Sequence, residues 1–253
     1  MQLHYEEMGK GENVVILHGL FGMSDNWMTI GERISQRHRV FLIDQRNHGQ
    51  SPHSKTFNYD VLADDLQEFL DTHGLEHTKI IGHSMGGKVG MNFALQNPER
   101  VDKLVVVDIA PRAYDHPYFE KFIKAMMGID IAAIQNRKDA HMALKEAIPQ
   151  KAIRNFLLKN LARKADNQFE WKINLSAVRD NLNHIFDAVD SEATFDKPAL
   201  FVRGEKSNYV NNEDYPHIRK LFTQAKMVTI PKATHWIHAE QPEAFCDHLR
   251  MFL

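Results

Sequence analysis

Ser84 stands in the run Gly82-His83-Ser84-Met85-Gly86, a G-x-S-x-G spacing with a small residue two positions away on either side of the serine. A serine hydroxyl is a weak nucleophile until a neighbouring base takes its proton. The β-branched pair Ile80-Ile81 before the run reads as a strand, and residues 88–96 after it read as a helix. A strand that becomes a helix at Ser84 leaves almost no room, so it needs small neighbours and strains the backbone of the serine, pushing the hydroxyl outward. The following helix then aims its first amides, and the positive end of its dipole, at the place where an acyl oxyanion would form. By itself the pentapeptide also fits a glycine-rich turn whose serine only caps a helix. The rest of the chain must decide between the two.

Acyl transfer through a serine needs a histidine base and a carboxylate to orient it. Asp108 follows the apolar run 104–107, and His235 lies in the loop after the run 227–230. Serine, acid, histidine is the chain order that nucleophile-elbow folds use. Glu205 and Asp214 stand as alternative acids, and His238, one helical turn beyond His235, reads as structural. Upstream, the apolar run 14–17 ends in His18-Gly19-Leu20-Phe21-Gly22. A glycine-flanked loop there can turn the amide of Leu20, or alternatively that of Phe21, toward an acyl oxygen beside the amide of Met85, completing an oxyanion hole. His18 is expected to hold this loop by hydrogen bonds. The polar run 44–52 is expected to form a structural network in which Asp44 pairs with Arg46.

These residues need a scaffold that brings strand ends together. Strand patterns at 3–8, 14–17, 40–43, 80–81, 104–107, 199–202 and 227–230 alternate with helical spacing at 26–36, 59–72, 88–96 and 243–253. That rhythm predicts an α/β fold with a mostly parallel central sheet flanked by helices and with reactive residues at the carboxyl ends of the strands. Between 109 and 195 the strand rhythm vanishes and helical patterns appear at 118–127, 140–147, 153–161 and 177–189. The expectation is a core of residues 1–110 and 196–253, with an inserted helical cap over 111–195. Phe21, Phe122, Met126 and Trp236 are the candidates for a substrate pocket, although the cap's Phe119, Phe122, Met126 and Met127 could equally pack its own core.

Composition narrows the chemistry further. The 33 acidic residues nearly balance 31 basic ones, so no overall field favours nucleic acid or an anionic membrane. Cys246 is the only cysteine, which rules out an intrachain disulfide. No stretch approaches the length of a membrane span, the amino terminus lacks a signal-like apolar run, and no H-E-x-x-H ligand spacing occurs. The expectation is a cytoplasmic enzyme, a monomer or small homo-oligomer, acting on a small-molecule acyl ester or thioester without metal or cofactor.

Taken together, these runs give the chain a resemblance to the α/β-hydrolases along nearly its whole length, and in particular to the small bacterial YbfF-type esterases. The likeness rests on His18-Gly19-Leu20-Phe21-Gly22, on the run 44–51, on Gly82-His83-Ser84-Met85-Gly86-Gly87-Lys88, and on Val107-Asp108-Ile109-Ala110-Pro111. Many members of the superfamily carry the acid in a G-x-x-D pattern where this chain has Gly204-Glu205-Lys206-Ser207. The YbfF-like members take it from the preceding strand, which implies Asp108. The resemblance implies an esterase or thioesterase. The same serine machinery also serves carbon–carbon bond hydrolases, lyases and cofactor-free haloperoxidases, and the fold occurs in non-catalytic receptors.

Overall fold

The β-branched runs segregate to two faces because successive residues of a strand point opposite ways. Val15, Leu17, Phe41, Ile43, Ile80, Leu104, Val106, Ala199 and Phe201 enter one buried core. Their neighbours Val14, Ile16, Val40, Leu42, Ile81, Val105, Val107, Leu200 and Val202 enter a second core on the other side of the sheet. Strands buried on both faces are the signature of a parallel sheet covered by helices. The computed structural model describes residues 1–253 and has this arrangement. Strands β1 (Tyr5–Met8), β2 (Glu12–Leu17), β3 (His38–Ile43), β4 (Thr78–His83), β5 (Val101–Val107), β8 (Phe195–Gly204) and β9 (Phe222–Ile230) form one sheet. Its order is β1-β3-β2-β4-β5-β8-β9, with only β1 antiparallel to its neighbour.

Helices α1 (Met28–Ile34), α2 (Tyr59–Thr72) and α3 (Met85–Gln96) follow β2, β3 and β4 in turn. The α2 helix starts at Asn58, whose side chain accepts from the Val61 amide. The α3 helix lies so close to the sheet that a Cβ at Gly86 would sit 2.3 Å from the Leu17 carbonyl, and one at Gly82 would sit 2.2 Å from the Gly86 carbonyl. Those two glycines make the tight strand-to-helix turn possible.

Between β5 and β8 lie α4 (Pro117–Met127), α5 (Arg137–Ala143), α6 (Lys151–Leu157), a hairpin of β6 (Leu161–Arg163) and β7 (Phe169–Trp171), α7 (Leu175–Asp180) and α8 (Leu182–Phe186). The hairpin corrects the purely helical reading of this insertion. Its strands are three residues long, too short to show a period of two, and pair antiparallel across a turn in which Asn167 takes φ 66°. The expected helix over 177–189 is broken at Asn181, whose side-chain Nδ2 donates to the Ala177 and Lys55 carbonyls. Helix α9 (Tyr215–Leu221) precedes β9, and α10 (Ile237–Glu240) and α11 (Pro242–Phe252) close the chain, with α11 packed beside α1. No helix is long and apolar enough to cross a membrane.

Candidate active site

Neighbouring parallel strands of this sheet end side by side, so residues just past β2, β4, β5 and β8 must crowd one edge. Ser84 occupies the single position between β4 and α3, with φ 51° and ψ −118°. A non-glycine residue in that region costs on the order of 1–3 kcal/mol and persists only where its surroundings force it. Here the Ser84 amide donates to the Val107 carbonyl at 3.0 Å, and the Ser84 carbonyl accepts from the amides of Gly87 and Lys88. Both sides of the strained peptide are therefore tied down.

Asp108 follows β5 and is likewise strained, with φ 52° and no exposed surface. Its amide donates to the Val202 carbonyl at 2.8 Å. One carboxylate oxygen accepts from the Gly204 amide at 3.0 Å, and the other accepts from the Ser207 hydroxyl and from His235 Nδ1, the latter at 2.8 Å. A carboxylate has no proton to give, so His235 carries its hydrogen on Nδ1 and leaves Nε2 as the basic nitrogen. His235 is held at two further points. His83 Nε2 donates to its carbonyl at 2.9 Å, and the Tyr209 ring stacks on its imidazole with centroids 4.0 Å apart. No hydrogen bond joins His235 Nε2 to Ser84 Oγ, although both line one cavity of about 270 Å³. In unliganded sites such contacts commonly tighten only around substrate.

The alternative acids point elsewhere. Glu205 accepts from the Lys232 amide, and Asp214 pairs with Arg112 Nε at 2.9 Å. Among the oxyanion candidates, the Phe21 amide is already committed to His48 Nε2 at 3.2 Å, with Phe21 itself at φ 62°. The amides of Leu20 and Met85 have no acceptor within the protein. Phe21, Phe122 and Trp236 line the cavity. Met126 does not: it is wholly buried in the apolar core, against which the partly buried Phe122 packs. Met127 reaches the surface.

Around this edge the loops are fastened by buried imidazoles. His18 Nδ1 donates to the Gly19 carbonyl while its Nε2 accepts from the Gln45 amide. His48 Nδ1 donates to the Arg46 carbonyl. Burial lowers the affinity of His18 and His83 for a proton, and pushes His48 and His238 down to about 3. His238 stacks on Trp27 at 4.2 Å. The expected pairing of Asp44 with Arg46 is not formed. Asp44 accepts from the Ser24 and Gln50 amides and from His4, while Arg46 makes a two-pronged contact with Asp65 on α2. The reach of a long guanidinium favours a carboxylate on a facing helix over one two residues away. Lys88, part of the elbow run, donates from its buried ammonium to the carbonyls of Arg112 and Asp187, near the start and the end of the segment between β5 and β8. Burial pushes it down to about 7. Nothing in the sequence pattern marked Tyr209 or the clamp made by Lys88, whereas His83 lay in plain view inside the elbow. No group of three or more histidine, cysteine or acidic side chains gathers in a way that could hold a metal ion.

Comparison with known proteins places the fold in a family. The family described as alpha/beta hydrolase fold matches residues 12–242. The chain is 39% identical over 254 residues to the sn-1-specific diacylglycerol lipase ABHD11 of Danio rerio, covering 97% of this chain and 80% of that protein. It is 33% identical over 240 residues to the esterase YbfF of Escherichia coli K12, covering 95% and 92%. A solved structure titled marine microorganism esterase superposes with a TM-score of 0.97 at 42% identity, covering 100% of this chain and 99% of that one.

Proposed function

Because the chain belongs to the α/β-hydrolase family and its relatives are esterases and lipases, we propose that it hydrolyses small to medium acyl esters or thioesters through an acyl-enzyme formed on Ser84. The observation that carries this reading is the 2.8 Å bond from His235 Nδ1 to the buried Asp108 carboxylate, with His235 and Ser84 lining one cavity. His235 Nε2 takes the Ser84 proton as Oγ bonds to the carbonyl carbon. The amides of Leu20 and Met85 receive the negative charge that builds on the carbonyl oxygen. As the oxyanion collapses, the bond to the leaving oxygen or sulfur breaks and His235 returns the proton to it. Water, deprotonated by the same nitrogen, then releases the acid and restores Ser84. Asp108 fixes the tautomer and stabilises the imidazolium. In this reading residues 111–195 are the lid over a core of 1–110 and 196–253, and the setting is cytoplasmic, in keeping with a lone buried Cys246.

The test is covalent. A fluorophosphonate should add one label, and mass mapping should place it on Ser84. Ser84→Ala should abolish the label and lower kcat on a p-nitrophenyl ester by roughly 10⁴- to 10⁶-fold. Labelling that persists in Ser84→Ala refutes the assignment.

A further inference from the structure

Ser84 stands at the junction of two cavities of very different size. One, of about 270 Å³, is lined by His235 together with apolar side chains such as Phe122, Phe156 and Trp236. The other, of about 10 Å³, is lined by Met85, Tyr59 and Ile185, and His235 does not border it. Leu20 borders both. A space of about 10 Å³ admits one water-sized group and no chain.

Resting on the serine-hydrolase reading above, the geometry points to a substrate with a short acyl group and a bulky apolar leaving group, an acetate-type ester of a hydrophobic alcohol. The reason is where the proton must go. Once Ser84 Oγ has bonded to the carbonyl carbon, its oxyanion is turned toward the amides of Leu20 and Met85. The carbon–oxygen bond to the leaving group then breaks with its electron pair on that oxygen, and only His235 is placed to protonate it. The leaving oxygen therefore lies on the His235 side, in the larger cavity, and the alcohol's chain continues along Phe122, Phe156 and Trp236. The acyl substituent is left to face Met85 and Ile185, where a methyl group fits and a longer chain meets walls. Those walls are stiff. The Tyr59 hydroxyl is hydrogen-bonded to the Ile185 carbonyl, and the Lys88 ammonium lies over the Tyr59 ring while holding both ends of the cap.

Octyl acetate and ethyl octanoate are isomers that differ only in which side of the ester carries the chain. The purified full chain should hydrolyse octyl acetate with the higher kcat/KM, on the order of 10- to 200-fold, the discrimination that a misfitting group in an apolar site commonly produces. Ile185→Ala enlarges the small cavity and should shift that ratio toward ethyl octanoate. An equal or reversed preference overturns the assignment, as does a ratio that Ile185→Ala leaves unmoved. No turnover of either ester by protein that still labels at Ser84 also overturns it, whereas failure to label Ser84 removes the catalytic reading beneath it.

Discussion

Asp108→Asn changes one atom of the proposed triad and preserves its shape, and the hydrogen bonds around Asp108 set what that change costs. The carboxylate serves two opposed sets of donors: the Gly204 amide on one oxygen, and the Ser207 hydroxyl with His235 Nδ1 on the other. An asparagine can satisfy one set only. With its oxygen toward Gly204, its NH₂ faces His235, which must then carry its hydrogen on Nε2 and can no longer take a proton from Ser84. Turned the other way, the NH₂ confronts the Gly204 amide and two buried donors lose their acceptor, at about 1–3 kcal/mol each. The productive arrangement is thus disfavoured by about 2–6 kcal/mol, or roughly 30- to 3 × 10⁴-fold, before the lost stabilisation of the imidazolium is added. The expectation is a fall in kcat of about 10⁴, the size of the same change in serine proteases. Steady-state kinetics on a p-nitrophenyl ester would measure it, with the melting temperature followed in parallel. Ser207→Asp in the Asp108→Asn background should restore part of the rate, because Ser207 already touches the same carboxylate oxygen that His235 uses. Asp108→Asn with near-wild-type kcat would refute the reasoning, most clearly if the protein had become less stable.

Two further outcomes follow from buried titratable groups. In the unfolded chain each imidazole takes up a proton below about pH 6.5, whereas folded His48 and His238 resist until about 3. Stability is therefore complete above about pH 6.5 and is lost as the pH falls, by about 2 kcal/mol per residue at about pH 5; melting should show it, His238→Phe should shallow the slope, and an unchanged melting temperature from pH 7 to 5 would contradict it. Lys88→Met leaves the Arg112 and Asp187 carbonyls without their donor, a loss of about 1–3 kcal/mol by denaturant unfolding. Folded Lys88 releases its proton near 7 and the unfolded lysine near 10.5, so wild-type stability should rise with pH through that window. A variant that keeps the rise would show that another group causes it.

What was legible in the sequence is what local pattern encodes. The strand runs and the elbow spacing marked the sheet, and α2 begins and ends where its apolar spacing suggests. The positions of Ser84, Asp108 and His235 could be read because strand ends in a parallel sheet converge without further information. Partners chosen across space were not legible. Arg46 could reach Asp44 or Asp65 by type alone, and only the approach of α2 decides for Asp65. Met126 and Phe122, four residues apart on α4, share an apolar character, yet one is wholly buried in the apolar core and the other lines the cavity. Tyr209 sits in the run Ser207-Asn208-Tyr209, which has no periodicity, and its stacking on His235 depends wholly on where β8 delivers the loop.

The cluster of histidines around His235 poses a problem that burial resolves. His83 lies with its ring centroid 4.6 Å from that of His235, and His238 lies 4.9 Å from His83. If His83 were charged, the imidazolium that the proposed mechanism forms on His235 would be repelled by about 4 kcal/mol at an effective dielectric of roughly 20. That is about three orders of magnitude in rate. Desolvation keeps His83 neutral, and its single ring hydrogen is spent on the His235 carbonyl. The relation is reciprocal, since charge on His235 further discourages protonation of both His83 and His238. His83 therefore does two things from inside the elbow motif: it anchors the backbone of His235, the proposed base, and stays uncharged beside it. Asp108 holds the ring by Nδ1, Tyr209 covers its face and His83 fixes its main chain, so the freedom left to His235 is small and directed at the cavity it shares with Ser84.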